Sequence, residues 1–406
     1  MSLHAGAALY KGFSEVARDA AEYFRPWTYD VPLAIRRETN DRLARVQRLF
    51  LRCVRQLAEH YDRYLDLMPV SDRVAEILAL CRSKPYRPGT YRTDFVIDGA
   101  NRIQLIETTC RFAMNGYFTS GFFIRNLADR FLAGRPDIRK IDAYTAFYDR
   151  FMEYFGPFDH VCLLKGADNR NDTKFVVPVF EKAGFPVQVI PAAEVPARTH
   201  DFRGAAVLGE LSHEEICALP TETVAAIVAA DSMNDLRTVF LIHDKRFFAL
   251  LNHAAFMKEA LAPAEIAELR PYLVPTYTKR LNPEIWPEAR NDKSRWIIKP
   301  YNMGKSIDVH AGALTDAAEW TALFDSGRAD RMVLQEFVPQ RKFRGTIGGQ
   351  PCHDYVTGTL LFFEDGFFGP GLCRASSYPV TNKVDDRKVA PLVTEDVASF
   401  EPDNVI

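Results

Sequence analysis

The sequence predicts a mixed α/β (α+β) protein with an N-terminal helical block, and three observations carry this prediction. Apolar residues recur at three- and four-residue spacing over about residues 7–80, which is typical of packed helices. Short apolar strands alternate with helices from about residue 157, which is typical of a parallel sheet. Two strands meet at Asp98-Gly99, a strong hairpin signal.

Composition limits the classes of function that the chain can serve. With 406 residues, 47% of them hydrophobic, the chain can bury a large core and form two or three domains. A net charge of -2 argues against a general nucleic-acid or anionic-membrane surface. No apolar run approaches the ~20 residues that span a bilayer.

The cysteines and the N-terminal residues indicate the cellular compartment of the protein. The seven cysteines are scattered and form no C-x-x-C pair, so we expect reduced core thiols and neither a disulfide framework nor a zinc site. The N-terminal residues lack the basic region, apolar stretch and cleavage site of a signal peptide. These features predict a cytoplasmic protein.

The helical block shows the clearest periodicity of the chain. Its apolar positions are Leu43, Val46, Phe50, Val54 and Leu57. Arginines fill the other faces, so one stripe is predicted to be buried. We expect this block to pack as a structural cap, ending where Pro85, Pro88 and Gly89 interrupt it.

The hairpin around Asp98-Gly99 carries the residues that suggest chemistry. Gly99 is expected to adopt the positive φ of a tight turn. With an even loop, alternation predicts one shared face for Arg92, Asp94, Val96, Ile103, Leu105, Glu107 and Thr109. Two carboxylates and a guanidinium at diagonal cross-strand spacing, ~7–8 Å, suit a magnesium ion and a phosphate. The simpler alternative is that these charges are only solvated.

The later elements follow in order. Residues 160–164, 187–190 and 205–209 are predicted strands around a helix at 174–184, which together form a βαβ unit. Helical segments are expected at 222–231 and 245–270, strands at 296–300 and 332–337, and a final hairpin at 359–369.

The segment that ends in Gly304-Lys305-Ser306 resembles the end of a P-loop, but Lys299 stands where that motif has its first glycine. The alternative is a strand-end lysine followed by a mobile loop. Lys299 would then meet the α- and β-phosphates of a nucleotide, and the loop with Lys305 and Ser306 would close over it. Further on, residues 332–337 with Val338-Pro339 resemble a nucleotide hinge, in which Gln335 or Glu336 and neighbouring backbone groups contact adenine.

These motifs together resemble the ATP-grasp superfamily. Arg92-Thr93-Asp94 and Glu107-Thr108-Thr109 match its R-x-D and E-x-N motifs, separated by a hairpin of similar length. In most members this hairpin follows the lid and the hinge, whereas here it comes first. That order is similar to the circularly permuted group, which includes eukaryotic glutathione synthetase and the synthetase domain of glutathionylspermidine enzymes. The similarity spans roughly residues 85–390.

The resemblance implies an order of segments. These are a helical block at 1–84, the carboxylate hairpin and its following helices at 85–150, an α/β substrate-side segment at 151–240, the lid and hinge at 241–340 and the closing part of the core at 341–406.

The resemblance also implies a carboxylate–amine ligase that uses ATP and Mg²⁺ and forms an acyl phosphate. Its implied metal ligands are Asp94, Glu107 and Thr109, and its implied catalytic residue is Arg92. The implied nucleotide-binding residues are Lys245, Lys299, Lys305, Ser306, Gln335, Glu336 and Val338. The implied substrate contacts are Arg111, Asn115 and Arg374, and the partners are a small-molecule carboxylate and an amine.

Two departures from the family pattern leave an alternative open. Thr109 replaces the asparagine of E-x-N, and Met303 stands where permuted relatives have a glutamate that touches magnesium. Asp308, or a phosphate oxygen with water, would have to compensate. The alternative function is therefore a nucleotide-binding module with weakened catalysis, and a P-loop-like kinase or ATPase is a third reading. The identity of the substrates and the oligomeric state stay open.

Overall fold

The structure is a computed structural model that describes residues 16, 22–114, 116, 120, 127–141, 150–151, 153–168, 171–182, 184–304, 306–381 and 383–406. Its α-helices are α1 (Arg37–Glu59), α2 (Asp72–Leu80), α3 (Asn171–Lys182), α4 (His213–Ala218), α5 (Thr221–Ala229), α6 (Arg246–Asn252), α7 (Ala254–Ala260), α8 (Pro263–Leu269), α9 (Ile285–Asn291) and α10 (Ala317–Asp325). Its first eight strands are β1 (Leu33–Arg36), β2 (Thr90–Ile97), β3 (Ile103–Thr109), β4 (His160–Lys165), β5 (Val187–Pro191), β6 (Ala205–Glu210), β7 (Asp231–Ser232) and β8 (Thr276–Tyr277). The remaining strands are β9 (Trp296–Pro300), β10 (His310–Ala311), β11 (Met332–Glu336), β12 (Lys342–Ile347), β13 (Gln350–Phe363), β14 (Gly366–Ser376), β15 (Arg387–Val389) and β16 (Pro391–Thr394).

The largest sheet is antiparallel and has the order β15-β14-β13-β2-β3, with β12 paired to the first part of β13. Strand β13 is long enough to pair with β12 over residues 350–355 and then with β2 over residues 357–363. The early hairpin therefore lies beside strands from the end of the chain. This arrangement lets residues near position 100 share one surface with residues near position 370.

Two smaller sheets flank the large one. The antiparallel sheet β10-β9-β11-β8 packs against α9 and α10 around three buried tryptophans, Trp286, Trp296 and Trp320. We call it the lid sheet. The parallel sheet β5-β4-β6-β7 has the βαβ connection that the sequence predicts, with α3 between β4 and β5.

Helix α1 packs against the rest of the chain, as expected of the N-terminal helices, but it is part of the main core and not a separate cap. Its predicted apolar stripe is buried as expected. The ring of Phe50 lies 5.4 Å from Phe247 and 5.9 Å from Phe248, and the same apolar cluster contains Leu360 and Phe362 of the large sheet. The helix thus fills the space between the large sheet and α6. Just before it, β1 pairs in parallel with β16, a strand that periodicity did not reveal.

Most other predicted elements occur close to their expected bounds. The predicted helix at 245–270 is three helices, α6, α7 and α8, because the chain turns extended at His253, Leu261 and Ala262, and Pro263 then starts α8. The final hairpin is longer than predicted and comprises β13 and β14. Among the helices of the described ranges, none is long and apolar enough to cross a membrane.

The seven cysteines are free thiols, and five of them are buried. Burial raises the pKa of Cys53 and of Cys373 to about 12, so these sulfurs stay protonated at neutral pH. The predicted core position is therefore confirmed for five of the seven cysteines.

Candidate functional site

One cleft between the large sheet and the lid sheet holds the predicted site residues. It encloses about 1030 Å³, including the solvent at its mouth. The predicted residues that line it are Arg92, Asp94, Glu107, Thr109, Arg111, Lys245, Lys299, Ser306, Gln335, Glu336, Val338 and Arg374. The other two predicted residues, Lys305 and Asn115, lie outside the described residues.

The register of the hairpin differs from the expected one. Asp94 pairs directly with Glu107 and Arg92 with Thr109, so the carboxylates are opposite each other and not diagonal. Phe95 pairs with Leu105, which leaves Ile106 as a bulge.

The bulge changes which side chains share a face. Leu105 and Ile103 join Phe95 and Ile97 in the main core, whereas Glu107 and Thr109 line the cleft. The predicted placement of Ile103 and Leu105 beside the charged residues is therefore wrong. Without the bulge, strict alternation would put Glu107 on the core side with Leu105.

The turn of the hairpin is also built differently. Asn101, with φ of 64°, adopts the left-handed conformation that was expected of Gly99. The Asp98 carboxylate accepts hydrogen bonds from the backbone amides of Ala100, at 2.9 Å, and Arg102, at 2.8 Å. This Asx-type turn fixes the five-residue loop and with it the register of both strands.

Arg92 and Asp94 form a buried pair at the floor of the cleft. Nε of Arg92 donates to Oδ1 of Asp94 at 2.9 Å, and its Nη2 lies 3.4 Å from Oδ2. Burial raises the pKa of Asp94, and the facing carboxylate of Glu107 adds to this effect, while Arg92 and Arg374 oppose it. A further cation placed between the two carboxylates would relieve their repulsion.

Glu107 faces the lysines of the lid side. Lys245 Nζ lies 3.7 Å from Oε2 of Glu107 and donates to the backbone oxygen of Met303 at 2.6 Å. Burial raises the pKa of Glu107, but Lys245, Lys299 and the two arginines more than offset this, so its pKa is lowered and the side chain is ionised at neutral pH.

Lys299 is buried at the end of β9, and burial lowers its pKa to about 8. Its Nζ donates to Oε1 of Gln335 at 2.8 Å. Gln335 in turn donates from Nε2 to the bulge carbonyl of Ile106 at 3.1 Å and to Oγ1 of Thr276 at 2.8 Å. The Gln335 side chain therefore positions Lys299 and is fully occupied by protein partners.

The far end of the cleft is more apolar. Its apolar walls include Ile297, Val309, Phe337, Val338 and Val380. The amide of Phe337 donates to the carbonyl of Arg295 at 2.7 Å, while Glu336 and Val338 border the cavity. Apolar walls of this kind suit an aromatic base.

The loop after β9 covers one side of the cleft. It leads into β10 and not into a helix, which excludes the P-loop alternative because that motif requires a helix N-terminus for the phosphates. Ser306 and Asp308 both have positive φ, near 55°, and Oγ of Ser306 donates to the carbonyl of Thr381 at 2.6 Å. The loop is thus held to the segment that follows β14.

Asp308 does not compensate for the missing acidic residue of the loop. Its carboxylate lies 2.8 Å from Nε2 of His310 and 2.6 Å from Nη2 of Arg328, and it does not line the cleft. Met303 does line the cleft, but it offers only a thioether and its backbone oxygen is bound to Lys245. The lid side therefore supplies no carboxylate from this loop among the described residues.

The residues of the hairpin suit magnesium only together with a phosphate. Within the described ranges, no group of three histidine, cysteine or acidic residues could hold a metal ion. Asp94, Glu107 and Thr109 nevertheless provide hard oxygen ligands on one face. Because Mg²⁺ commonly binds through one or two carboxylates plus substrate phosphates, this donor set fits a magnesium–nucleotide complex.

The cleft also contains residues that sequence reasoning did not assign. His243 lines it, two residues before Lys245, and its Nδ1 is 3.5 Å from the amide nitrogen of Cys110. Thr357 lines it opposite Arg374 in the β13–β14 ladder. Lys388 of β15 does not line the cleft but pairs with Arg374 of β14; it is buried, and burial lowers its pKa to about 8. Of these residues, only His243 had a signal in the sequence, because it stands two residues before the predicted Lys245.

Comparisons with known proteins gave a family-model match and a likeness of fold. Residues 52–241 match the family model of the AnkG N-terminal domain, which covers less than half of the chain. No curated protein matches the chain. Among 44 matching chains of solved structures is a glutathione synthetase-like effector from Globodera pallida in its apo form. That structure has a TM-score of 0.60 and 11% sequence identity, and the match covers 94% of this chain and 96% of that chain. At this identity the likeness concerns the fold alone, so the chain has the mixed α/β fold of a glutathione synthetase-like protein.

Proposed function

We propose that the protein is an ATP-dependent ligase of the ATP-grasp type that joins a carboxylate to an amine and releases ADP and phosphate. The observation that carries this proposal is the facing pair Asp94 and Glu107, with Lys245 and Lys299 on the lid side. Opposed carboxylates beside a cluster of cations match the needs of phosphoryl transfer, which depends on charge neutralisation and positioning.

The charge of the cleft supports a polyphosphate ligand. Among its described lining residues, five side chains are cationic and three are carboxylates, a surplus of two positive charges. Lys245 and Lys299 would contact phosphate oxygens as point charges. The apolar end with Glu336 and Val338 would take the adenine, and Ser306 would close over the phosphates together with Lys305. Asp94, Glu107 and Thr109 would hold the Mg²⁺ that accompanies ATP, which would neutralise phosphate charge.

The chemistry divides into two steps. In the first, a carboxylate oxygen of the substrate attacks the γ-phosphorus of ATP, the bond to the β–γ bridging oxygen breaks, and ADP leaves. In the second, the amine attacks the acyl carbon, the C–N bond forms, the acyl C–O bond breaks, phosphate leaves, and the nitrogen loses its proton to solvent. The Arg92 guanidinium, fixed by Asp94, would stabilise the negative charge of the tetrahedral intermediate.

A lid that excludes water suits this reaction because an exposed acyl phosphate hydrolyses. The loop around Ser306 would serve that purpose, since its contact with Thr381 spans the cleft. Arg374 lies on the same sheet surface as Arg92 and would contact the substrate or the transferred phosphate. A small-molecule carboxylate and amine as substrates and a cytoplasmic location stay predictions.

The second candidate is a nucleotide-binding module without turnover. Thr109 and Met303 favour it, because each supplies a weaker magnesium ligand than the amide or carboxylate of the family pattern, and Asp308 is bound elsewhere. Such a module would bind ATP with little dependence on magnesium.

Calorimetric titration of ATP separates the two candidates. Wild-type protein and Asp94→Asn are titrated with ATP in the presence and absence of Mg²⁺. The ligase requires magnesium-dependent binding that weakens in the variant, together with phosphate release when carboxylates and amines are supplied. Binding that is indifferent to magnesium in both proteins supports the module, and no binding refutes both.

A further inference from the structure

Arg111 is a cation of the cleft that has no anionic partner among the described residues. It follows β3 and lines the same cavity as Arg92 and Lys245. Within the described ranges its guanidinium forms no ion pair, and its buried Nε has no hydrogen-bond partner. A buried donor without an acceptor is costly, which makes this position unusual for a purely structural arginine.

The surroundings of Arg111 offset only part of this cost. Its guanidinium lies 4.5 Å from the centre of the Phe112 ring, a cation–π contact worth roughly 0.5–2 kcal/mol. Burial lowers its pKa despite four acidic residues in the neighbourhood. Two of these are already engaged, since Glu210 accepts from the amide of Met114 at 2.8 Å and Glu215 accepts from the amides of Ser212 and Ala167, each at 2.7 Å.

The place of Arg111 in the fold independently points to a ligand. The residues after β3 run along the carboxyl edge of the parallel sheet, where the amide of Ala113 donates to the carbonyl of Gly209 at 3.2 Å. In that sheet β4 lies between β5 and β6. The connection from β4 to β5 therefore runs to one side of β4, and the connection from β5 to β6 brings the chain to the other side of β4. The carboxyl edge at such a switch point is where open α/β sheets bind ligands.

The position of Arg111 separates it from the phosphate site. The carboxylates that raise the pKa of Arg111 against the effect of burial are Glu214, Asp168, Glu215 and Glu210, whereas the cations that lower the pKa of Glu107 are Lys245, Lys299, Arg92 and Arg374. A carboxylate activated near Glu107 and Lys299 is therefore not the group that Arg111 would bind. A second anionic group of the same acid would match the charge of Arg111.

We infer that Arg111 anchors a second carboxylate of the acid that the enzyme activates, so that the substrate class is acids with two carboxylates. This inference rests on the proposed function, because it uses that function to place the first carboxylate. A guanidinium favours carboxylates, whose two oxygens accept its paired N–H donors. Arg111 thus acts as a determinant of specificity, while the phosphates belong to the lysines.

The inference can be tested by binding without turnover. The probes are succinate, glutarate, adipate, pimelate and suberate, each compared with its monomethyl ester, which removes one charge and keeps the length. Calorimetric titrations are made with the phosphate cations occupied by Mg²⁺ and a non-hydrolysable ATP analogue. The proteins are wild type, Arg111→Gln, Arg111→Lys, which keeps the charge without the planar fork, and Arg203→Gln, which removes an exposed arginine outside the cleft.

We expect at least one diacid to bind wild type about tenfold tighter than its ester, equivalent to about 1.4 kcal/mol. Arg111→Gln should abolish this preference, Arg111→Lys should reduce it, and Arg203→Gln should retain it. The inference is overturned if no diacid binds wild type better than its ester, or if the Arg111 variants keep the wild-type preference. If Arg111→Gln fails to fold, Arg111→Lys carries the test of this residue, and a wild type without any diacid preference overturns the inference by itself.

A second assay separates failure of the inference from failure of the proposed function. Hydroxylamine replaces the unknown amine and traps any acyl phosphate as a hydroxamate. Hydroxamate formed equally from the esters and from the diacids leaves the ligase proposal intact and overturns the role of Arg111. Diacid binding that depends on Arg111, without any ADP or hydroxamate, supports the anion site and refutes the ligase.

Discussion

Replacing Lys299 by methionine should strengthen the fold while abolishing nucleotide binding. The lysine is only 5% exposed, and burial lowers its pKa from 10.5 to about 8, with Glu107 and Asp94 opposing and Lys245 adding to the shift. A group whose pKa falls on folding makes the protein less stable while it is charged. Methionine has a similar length and carries no charge.

The magnitude follows from the pKa. A change of one in pKa corresponds to about 1.36 kcal/mol, so keeping Lys299 charged costs the fold about 3 kcal/mol at neutral pH. The substitution leaves Oε1 of Gln335 without its donor, which costs roughly 1–2 kcal/mol. We therefore expect Lys299→Met to be about 1–2 kcal/mol more stable than wild type without ligand. The gain should be largest below pH 8 and should shrink as pH rises towards 10.5, because the wild-type lysine then becomes neutral.

Urea unfolding between neutral and alkaline pH measures the stability, and calorimetry measures the binding of ATP with magnesium. Lys258→Met is the matched control, because Lys258 is an exposed lysine on α7 and its loss should change neither quantity. A Lys299→Met protein that is less stable than wild type at neutral pH would refute the argument from buried charge. Unchanged ATP affinity in that variant would refute the placement of the phosphates.

Four further substitutions test the hairpin and the sheet. Asp94→Asn and Glu107→Gln should each abolish turnover and weaken magnesium-dependent ATP binding about tenfold or more in a protein that still unfolds cooperatively in urea; wild-type turnover in both would exclude the metal site. Arg92→Lys keeps the charge but loses the two-point contact with Asp94, so product formation should fall ~10²–10³-fold while calorimetry still detects ATP; an equal loss of ATP affinity would make Arg92 a nucleotide ligand. Gly358→Ala places a Cβ atom 2.1 Å from Cζ of Phe95, so urea unfolding should report a loss of roughly 1–3 kcal/mol, and a neutral result would mean that the ring moves aside.

Much of the site could be predicted because its residues carry distinctive chemistry at the ends of recognisable strands. Lys299 lies at the end of the apolar strand β9, whose bounds were predicted correctly. Arg92 and Asp94 are two residues apart on β2 and so share one face of that strand. The convergence of these segments on one cleft followed from the order of the motifs. It did not follow from any local pattern, since β2 pairs with β13 across more than half of the chain.

The predictions of register, turn and packing failed where the same residues are compatible with two conformations. Ile106 is apolar and suits either face of a strand, so nothing in the sequence distinguishes a bulge from strict alternation there. Asn101 tolerates the left-handed region as glycine does, and it took the conformation expected of Gly99. Helix α1 was predicted as a helix with the correct buried stripe, but the partners of that stripe come from α6 and the large sheet, which periodicity does not specify.

The side chain of Gln335 links two parts of the protein that would otherwise be free to move apart. It connects the bulge carbonyl of Ile106, which belongs to the large sheet, to Lys299 of the lid sheet. Gln335 and Lys299 both belong to the lid sheet, so a rigid-body swing of that sheet would have to break the hydrogen bond from Gln335 to Ile106. We therefore expect ligand entry to involve the loop that contains Ser306, while β9 and β11 stay fixed to the hairpin. On this view the lysine is preorganised before ATP arrives, and the free energy of closure is confined to a few residues of one loop.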